Sequence, residues 1–225
     1  MAFGGLRVWG FEEGVSGVEG YTVGMQLLVE DFELMAPVIL NPCRVPMTDE
    51  EFVAFCQQYE DCFVECTAEG EIIIMPPNYS KTGEQNSEII AQLVMWAKKD
   101  GRGRVYDSSA GFRLPNGARR SPDASWIRKD RVAALPKEQQ KRFYYLCPDF
   151  VIELRSSTDR IRRLKAKMEE YIANGAELGW LIDPDERSVW IYRPGCAAEC
   201  VVNPDRISGE GPVADFVLEL GDIWA

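Results

Sequence analysis

Histidine is absent from all 225 residues, so a zinc site could not be completed with imidazole and would need cysteine ligands. The cysteines do not arrange themselves for that. There are seven, an odd number scattered through a chain too large to need covalent staples, and they read as reduced thiols. Cys62 with Cys66 and Cys196 with Cys200 invite a metal reading. Both pairs lie in β-like sequence, where residues four apart stand ~13 Å apart, and neither has the two-residue knuckle spacing. Small buried hydrophobes are the default for such residues. Long apolar runs are missing as well: none approaches the ~18 residues of a membrane span. The opening Met1-Ala2-Phe3-Gly4-Gly5 lacks the basic and apolar regions of a signal peptide. A cytoplasmic protein without a membrane partner is expected.

Positive charge is scarce too. The net charge is −11 and the pI near 4.7, whereas a protein that grips nucleic acid without sequence preference is usually basic, because its affinity comes from neutralised phosphates. Nucleic acid can be held here only where the local field departs from the average. Arg102 with Arg104, Arg119-Arg120, and Arg160-Ile161-Arg162-Arg163 with Lys165 and Lys167 supply such places. Solvated surface charge is the commoner fate of a basic cluster.

What is present is enough for one well-buried core: 46% of residues are hydrophobic. Residues 1–45 read as an N-terminal arm, Gly-rich at first and then apolar around Leu34–Leu40, and 46–225 as the folded domain. Thr48 with Glu51 forms a capping box for a short helix through Phe52, Phe55 and Cys56. Phe63–Cys66 and Glu71–Met75 flank Ala68-Glu69-Gly70 as a hairpin. Ile89, Ile90, Leu93, Val94, Trp96 and Ala97 recur at helical spacing between Thr82 and Lys99, and Gly101 ends that helix. Short strands are expected at Arg104–Asp107, Gly111–Leu114 and Asp123–Ile127, then a polar helical stretch around Lys137–Arg142. The strand Phe150–Leu154 leads into a helix from about Thr158 to Asn174, stopped by Gly175. Strands follow at Trp180–Asp183, Val189–Tyr192 and Glu199–Val202. No internal repeat or dividing linker is visible. Strands lead and helices cover, so the fold class is α/β.

Glu153 is the oddest residue in that pattern. Its neighbours Phe150-Val151-Ile152 and Leu154 are apolar, as in a central strand, where a carboxylate is costly unless paired or bound to metal. The bland alternative is an acid at a strand end, facing solvent or capping the next helix. Asp123, in Ser121-Pro122-Asp123, sits where a loop enters a strand, and an Asp in a turn is common. Asp149, in a second Pro-Asp pair, reads as structural. The helix after Glu153 buries Ile161, Leu164, Met168, Tyr171 and Ile172. At about 100° per residue, Lys167 lies just beyond one edge of that stripe and Lys165 just beyond the other. Periodicity does not choose between them, and ordinary flanking lysines are the alternative for both. Acid, acid and amine in this order are what a Mg²⁺-dependent phosphodiesterase needs. The carboxylates hold a hard cation through oxygen, and the ammonium steadies the attacking water or the phosphate charge.

The pattern also resembles a known family. The residues that carry the likeness are Gly70-Glu71-Ile72-Ile73-Ile74-Met75-Pro76, Gly111-Phe112-Arg113-Leu114-Pro115-Asn116-Gly117, Ser121-Pro122-Asp123 and Pro148-Asp149-Phe150-Val151-Ile152-Glu153. Lys167-Met168-Glu169-Glu170-Tyr171, Gly179-Trp180-Leu181-Ile182-Asp183-Pro184 and Val189-Trp190-Ile191-Tyr192-Arg193 follow in order. From about residue 48 onward the chain is similar to the Uma2 family (formerly DUF820) of bacterial endonucleases, within the PD-(D/E)XK nuclease superfamily. The resemblance implies a restriction-endonuclease-like core, a mixed central sheet flanked by helices. It implies Mg²⁺ held by Asp123 and Glu153, with Mn²⁺ as a substitute, and DNA as the substrate. The superfamily's usual lysine, two residues after the second acid, is replaced here by Arg155, whose guanidinium cannot exchange protons near neutral pH and is left to bind a neighbouring phosphate oxygen. The family is similar in moving the amine to the next helix, where Lys167 is the matching position. A further acid is expected from Glu84 or Glu88 on the first core helix, or from Glu65 on the strand before it.

Two other functions stay open on the sequence. One is a catalytically silent nuclease-like module for binding or assembly, favoured by the acidic surface and by Arg155. The other is a hydrolase of small phosphate esters, which an acidic surface suits better than long DNA. A purely structural protein leaves the apolar setting of Glu153 unexplained. Trp190, Tyr192 and Trp224 with the arm would serve a homodimer, or else pack in the core and cover a sheet edge.

Overall fold

The computed structural model describes residues 37–40, 47–59, 62–140 and 143–225. Most of the expected arm, residues 1–36 and 41–45, and the end of the polar stretch at 141–142 lie outside the described residues. In chain order the elements are β1 (Val38–Leu40), α1 (Asp49–Gln58), β2 (Phe63–Cys66), β3 (Ile72–Met75), α2 (Ser80–Asp100), β4 (Gly103–Asp107), β5 (Phe112–Arg113), β6 (Arg119–Arg120), β7 (Ala124–Arg128) and α3 (Lys129–Ala134). They continue with β8 (Phe150–Leu154), α4 (Ile161–Ala173), β9 (Leu178–Asp183), β10 (Ser188–Tyr192), β11 (Glu199–Val202), β12 (Arg206–Ser208) and β13 (Val217–Glu219).

Local chemistry explains several boundaries. The Thr48 backbone N–H donates to Glu51 Oε2 at 2.7 Å and the Glu51 N–H to Thr48 Oγ1 at 3.2 Å, which closes the capping box of α1. Asp49, Glu50 and Glu51 place negative charge at the positive end of the helix. α2 stops at Gly101, whose φ of 74° is a left-handed cap. β2 and β3 form the expected hairpin, in register from Phe63 against Met75 to Cys66 against Ile72.

The central sheet has six strands in the order β11-β10-β9-β8-β7-β4. Its pairings are antiparallel except β8 with β9, which are parallel and joined by α4, the kind of crossover a parallel pair requires. Every residue of β8 is buried, as in a strand covered on both faces. Alternation assigns the faces. Phe150, Ile152 and Leu154 pack in one cluster with Ile89 and Leu93 of α2, Trp126, Trp180 and Phe216. Val151 packs in the other with Leu164, Met168 and Tyr171 of α4. Burying Leu164 and Met168 contributes about 1.5–3 kcal/mol each. α4 lies close on the sheet because β9 carries Gly179, where a Cβ would come 2.5 Å from the Met168 methyl.

A second, antiparallel sheet runs β1-β3-β2-β6-β5, and β12 pairs with β13. The first residue of α1 is clasped to the second sheet: Asp49 accepts from Arg113 at 3.1 Å, from Arg119 and from the Tyr145 hydroxyl. Of the three aromatics read as candidate contacts, Tyr192 is buried, Trp224 packs against the core and donates its indole N–H to the Pro204 carbonyl, and Trp190 is half-buried under Lys165. Among the described residues no helix is long and apolar enough to cross a membrane.

Candidate active site

The two acids singled out in the sequence face each other across β7 and β8. That antiparallel register pairs Ala124 with Ile152 and Ser125 with Val151. Continued one residue beyond the end of β7, it sets Asp123 opposite Glu153, both on the face that α4 covers. Like charges directly opposite in a sheet repel, so this pair calls for a cation. Asp123 is fixed by the Leu154 N–H, which donates to Oδ2 at 2.8 Å. Its other oxygen has no hydrogen-bond partner among the described residues, and the side chain lines a cavity of about 100 Å³. Glu153 lines the same cavity at 3% exposure. The Tyr171 hydroxyl donates to its Oε1 at 3.0 Å.

Lys167 supplies one cation. It lies on α4 at the edge of the face that buries Leu164, Met168 and Tyr171, and its side chain turns inward to the two acids. Its Nζ stands 2.9 Å from Glu153 Oε1, 3.0 Å from Glu153 Oε2 and 2.8 Å from Glu65 Oε1. Glu65, at 2% exposure on β2, also accepts from the Ser121 N–H at 2.9 Å and from Arg120 at 3.1 Å. Arg120 reaches on to Glu170 of α4 at 2.6 Å. The second sheet thus contributes Glu65 and Arg120 to a site whose other members stand on or beside the central sheet and α4.

Four carboxylates, Glu65, Asp123, Glu153 and Asp159, and one ammonium line the cavity and leave an excess of negative charge. Burial pushes Glu153 up to about 8, with the neighbouring charges of Asp123 and Glu65 adding to the rise against the pull of Lys167. Burial likewise pushes Asp123 up to about 6, against the lowering effect of the Leu154 N–H. Burial acts on Glu65 in the same sense, but Lys167 and Arg120 outweigh it and hold that carboxyl below its ordinary value. Burial alone would lower Lys167; Glu153 and Glu65 raise it instead, so the amine stays charged.

The profile of one family, described as "Uma2: Putative restriction endonuclease", matches residues 49–221. The chain belongs to the Uma2 family. Among solved structures it is similar to the crystal structure of a putative nuclease belonging to DUF820 from Anabaena variabilis ATCC 29413. The TM-score is 0.66 at 25% identity, over 80% of this chain and 98% of that one. The α/β fold, with its mixed sheet flanked by helices, is therefore the fold of a Uma2 nuclease-like structure. No protein of curated function matches the chain. Glu65, Asp123, Glu153 and Lys167 all fall within the Uma2 match.

The other residues singled out in this Uma2 sequence do not reach the cavity. Lys165 projects from α4 onto Trp190 of β10, its Nζ 3.2 Å from the ring centroid. Arg155 is tied to Asp183 at 2.8 Å. Glu84 is exposed on α2, and Glu88 accepts from Gln92 one turn along the same helix. The buried stripe of α2 packs in the cluster on the far side of the sheet from α4. Asp149 is buried and paired with Arg128 and Arg131, a structural role. Arg119 and Arg120, read as a surface cluster, are instead buried at 5% and 7% exposure and paired. Sequence reasoning gave Tyr171 only a packing role. Its place four residues after Lys167, on the same helix face, was the available signal. The cysteine pairs do not gather: Cys66 is buried, Cys62 half-buried, Cys196 and Cys200 exposed.

Among the described residues no three acidic or thiol side chains cluster tightly enough to hold a metal by themselves. Two carboxylates are nevertheless an ordinary protein share for Mg²⁺, which keeps several waters and completes its shell with substrate phosphate. The donor set at Asp123 and Glu153 fits that cation.

Proposed function

We propose that this Uma2 protein is a Mg²⁺-dependent endonuclease that hydrolyses phosphodiester bonds of DNA, with Asp123 and Glu153 as metal ligands and Lys167 as the assisting amine. The observation that carries the reading is the opposition of a half-buried Asp123 and a buried Glu153 across β7 and β8, with one ammonium that a third acid also claims. A bound Mg²⁺ would supply Lewis acidity toward the phosphate and lower the pKa of its water. The chain's own groups do the positioning. The Leu154 N–H aims Asp123, and Tyr171 holds Glu153. Lys167, kept protonated by its two carboxylates, cannot serve as a base; it stabilises negative charge developing on the phosphate.

DNA as the substrate draws on the wider surroundings. The cavity shares Glu65, Met75, Thr158, Asp159 and Lys167 with a groove of about 530 Å³. Arg160 and Arg163 line the α4 side of that groove, while Glu69 and Glu71 line the hairpin side. A backbone phosphate would run along the α4 side. The test is incubation with supercoiled plasmid, single-stranded DNA and a small chromogenic phosphodiester, with Mg²⁺, Mn²⁺ or EDTA. Cleavage of DNA should require metal and vanish in Asp123→Ala and Lys167→Ala. Hydrolysis of the small diester alone would turn the reading to small phosphate esters, and metal-independent cleavage would refute it.

A further inference from the structure

The hydrogen-bond pattern of the cavity bears on how a cation enters. Both oxygens of Glu153 are in use: Oε1 takes the Lys167 ammonium at 2.9 Å and the Tyr171 hydroxyl at 3.0 Å, and Oε2 takes Lys167 at 3.0 Å. Asp123 has only the Leu154 N–H on one oxygen. A cation that drew on Asp123 and Glu153 would compete with the Lys167 ammonium, which already engages both Glu153 oxygens, and the two positive charges would repel at such range. The displaced ammonium has a second seat. Glu65 Oε1 is already 2.8 Å away, and Glu65 cannot follow the lysine, because the Ser121 N–H and Arg120 hold it and Glu170 in turn holds Arg120. The lysine stem is flexible, so the amine is the part that moves.

Resting on the metal site proposed above, we propose that Lys167 and an incoming divalent cation compete for Glu153, and that Glu65 is the positioning residue that receives the ammonium when the cation wins. Glu65 then acts through Lys167 and is not a third metal ligand. Its oxygens are already committed to an ammonium, a guanidinium and a backbone N–H, and it joins no cluster of three metal-holding acids among the described residues.

The test is calorimetric titration of the full chain with Mg²⁺ and Mn²⁺, as wild type, Lys167→Met, Glu65→Gln and the double variant. Lys167→Met should bind metal at least about tenfold more tightly, the size of one close charge interaction. Glu65→Gln should bind about tenfold more weakly, because Lys167 then clings to Glu153 alone. The double variant should match Lys167→Met, since Glu65 has no effect without the amine. Equal weakening by Glu65→Gln with and without Lys167 would make Glu65 a ligand and overturn the inference, while leaving the metal site standing. Unchanged or weaker binding by Lys167→Met also overturns it. No uptake by any variant removes the metal site and this inference with it. Thermal melts precede the titrations. Lys167→Gln, or Glu65→Asp (which keeps the charge but withdraws it by one methylene), serves where a first substitution fails to fold, with the same signs expected.

Discussion

A carboxyl group pushed up by burial holds a proton that a metal ion must expel. Burial raises both Asp123 and Glu153, which sets the sign: on acidification the pair takes up a proton earlier than ordinary carboxyls do, and a bound Mg²⁺ would have to displace it. Affinity should therefore fall as the pH is lowered from 8 to 6, and calorimetry in buffers of different ionisation enthalpy should count protons released. Uptake that is independent of pH and of buffer would contradict the raised values. Tyr171 works in the opposite direction, because its hydroxyl favours the charged form of Glu153. Tyr171→Phe keeps the ring in the core and should weaken Mg²⁺ binding by about 1 kcal/mol, read from the same titration.

The elements that carry these residues differ in how plainly they stood in the sequence. α4 was legible from Leu164, Met168 and Tyr171, yet the choice between Lys165 and Lys167 was not, because each sits one step off that stripe. What separates them is the partner each meets, Trp190 of β10 or Glu65 of β2, and such long-range pairings leave no mark in local periodicity. Arg120 passed for surface charge for the same reason, its partners lying on β2 and α4. The capping box of α1 and the β2–β3 hairpin depend on neighbours a few residues apart, so both could be read directly. The clasp that docks α1 could not. Asp49→Ala should leave Arg119 buried without its carboxylate and cost about 3 kcal/mol. A lowered urea midpoint with unchanged slope is the expected result.

At the scale of the whole molecule, the net charge of −11 sets a repulsive background for any polyanion, against which a few arginines have to work. Arg160 and Arg163 on the groove should make binding steeply salt-dependent. Replacing both by Ala in an Asp123→Ala background should reduce the log–log salt slope for duplex DNA by roughly 1.8, two phosphate contacts' worth; fluorescence anisotropy at several salt concentrations measures it. The three-residue strand β1 has a practical consequence. It covers the outer edge of β3, pairing Val38, Ile39 and Leu40 with Ile74, Ile73 and Ile72, and Pro37 beside it lines both the cavity and the groove. A protein shortened to begin at residue 46 would bare three consecutive isoleucines along an open edge, an invitation to stack with its own kind. Such a preparation would clump during purification, and its silence in an assay would report a lost coat rather than missing chemistry.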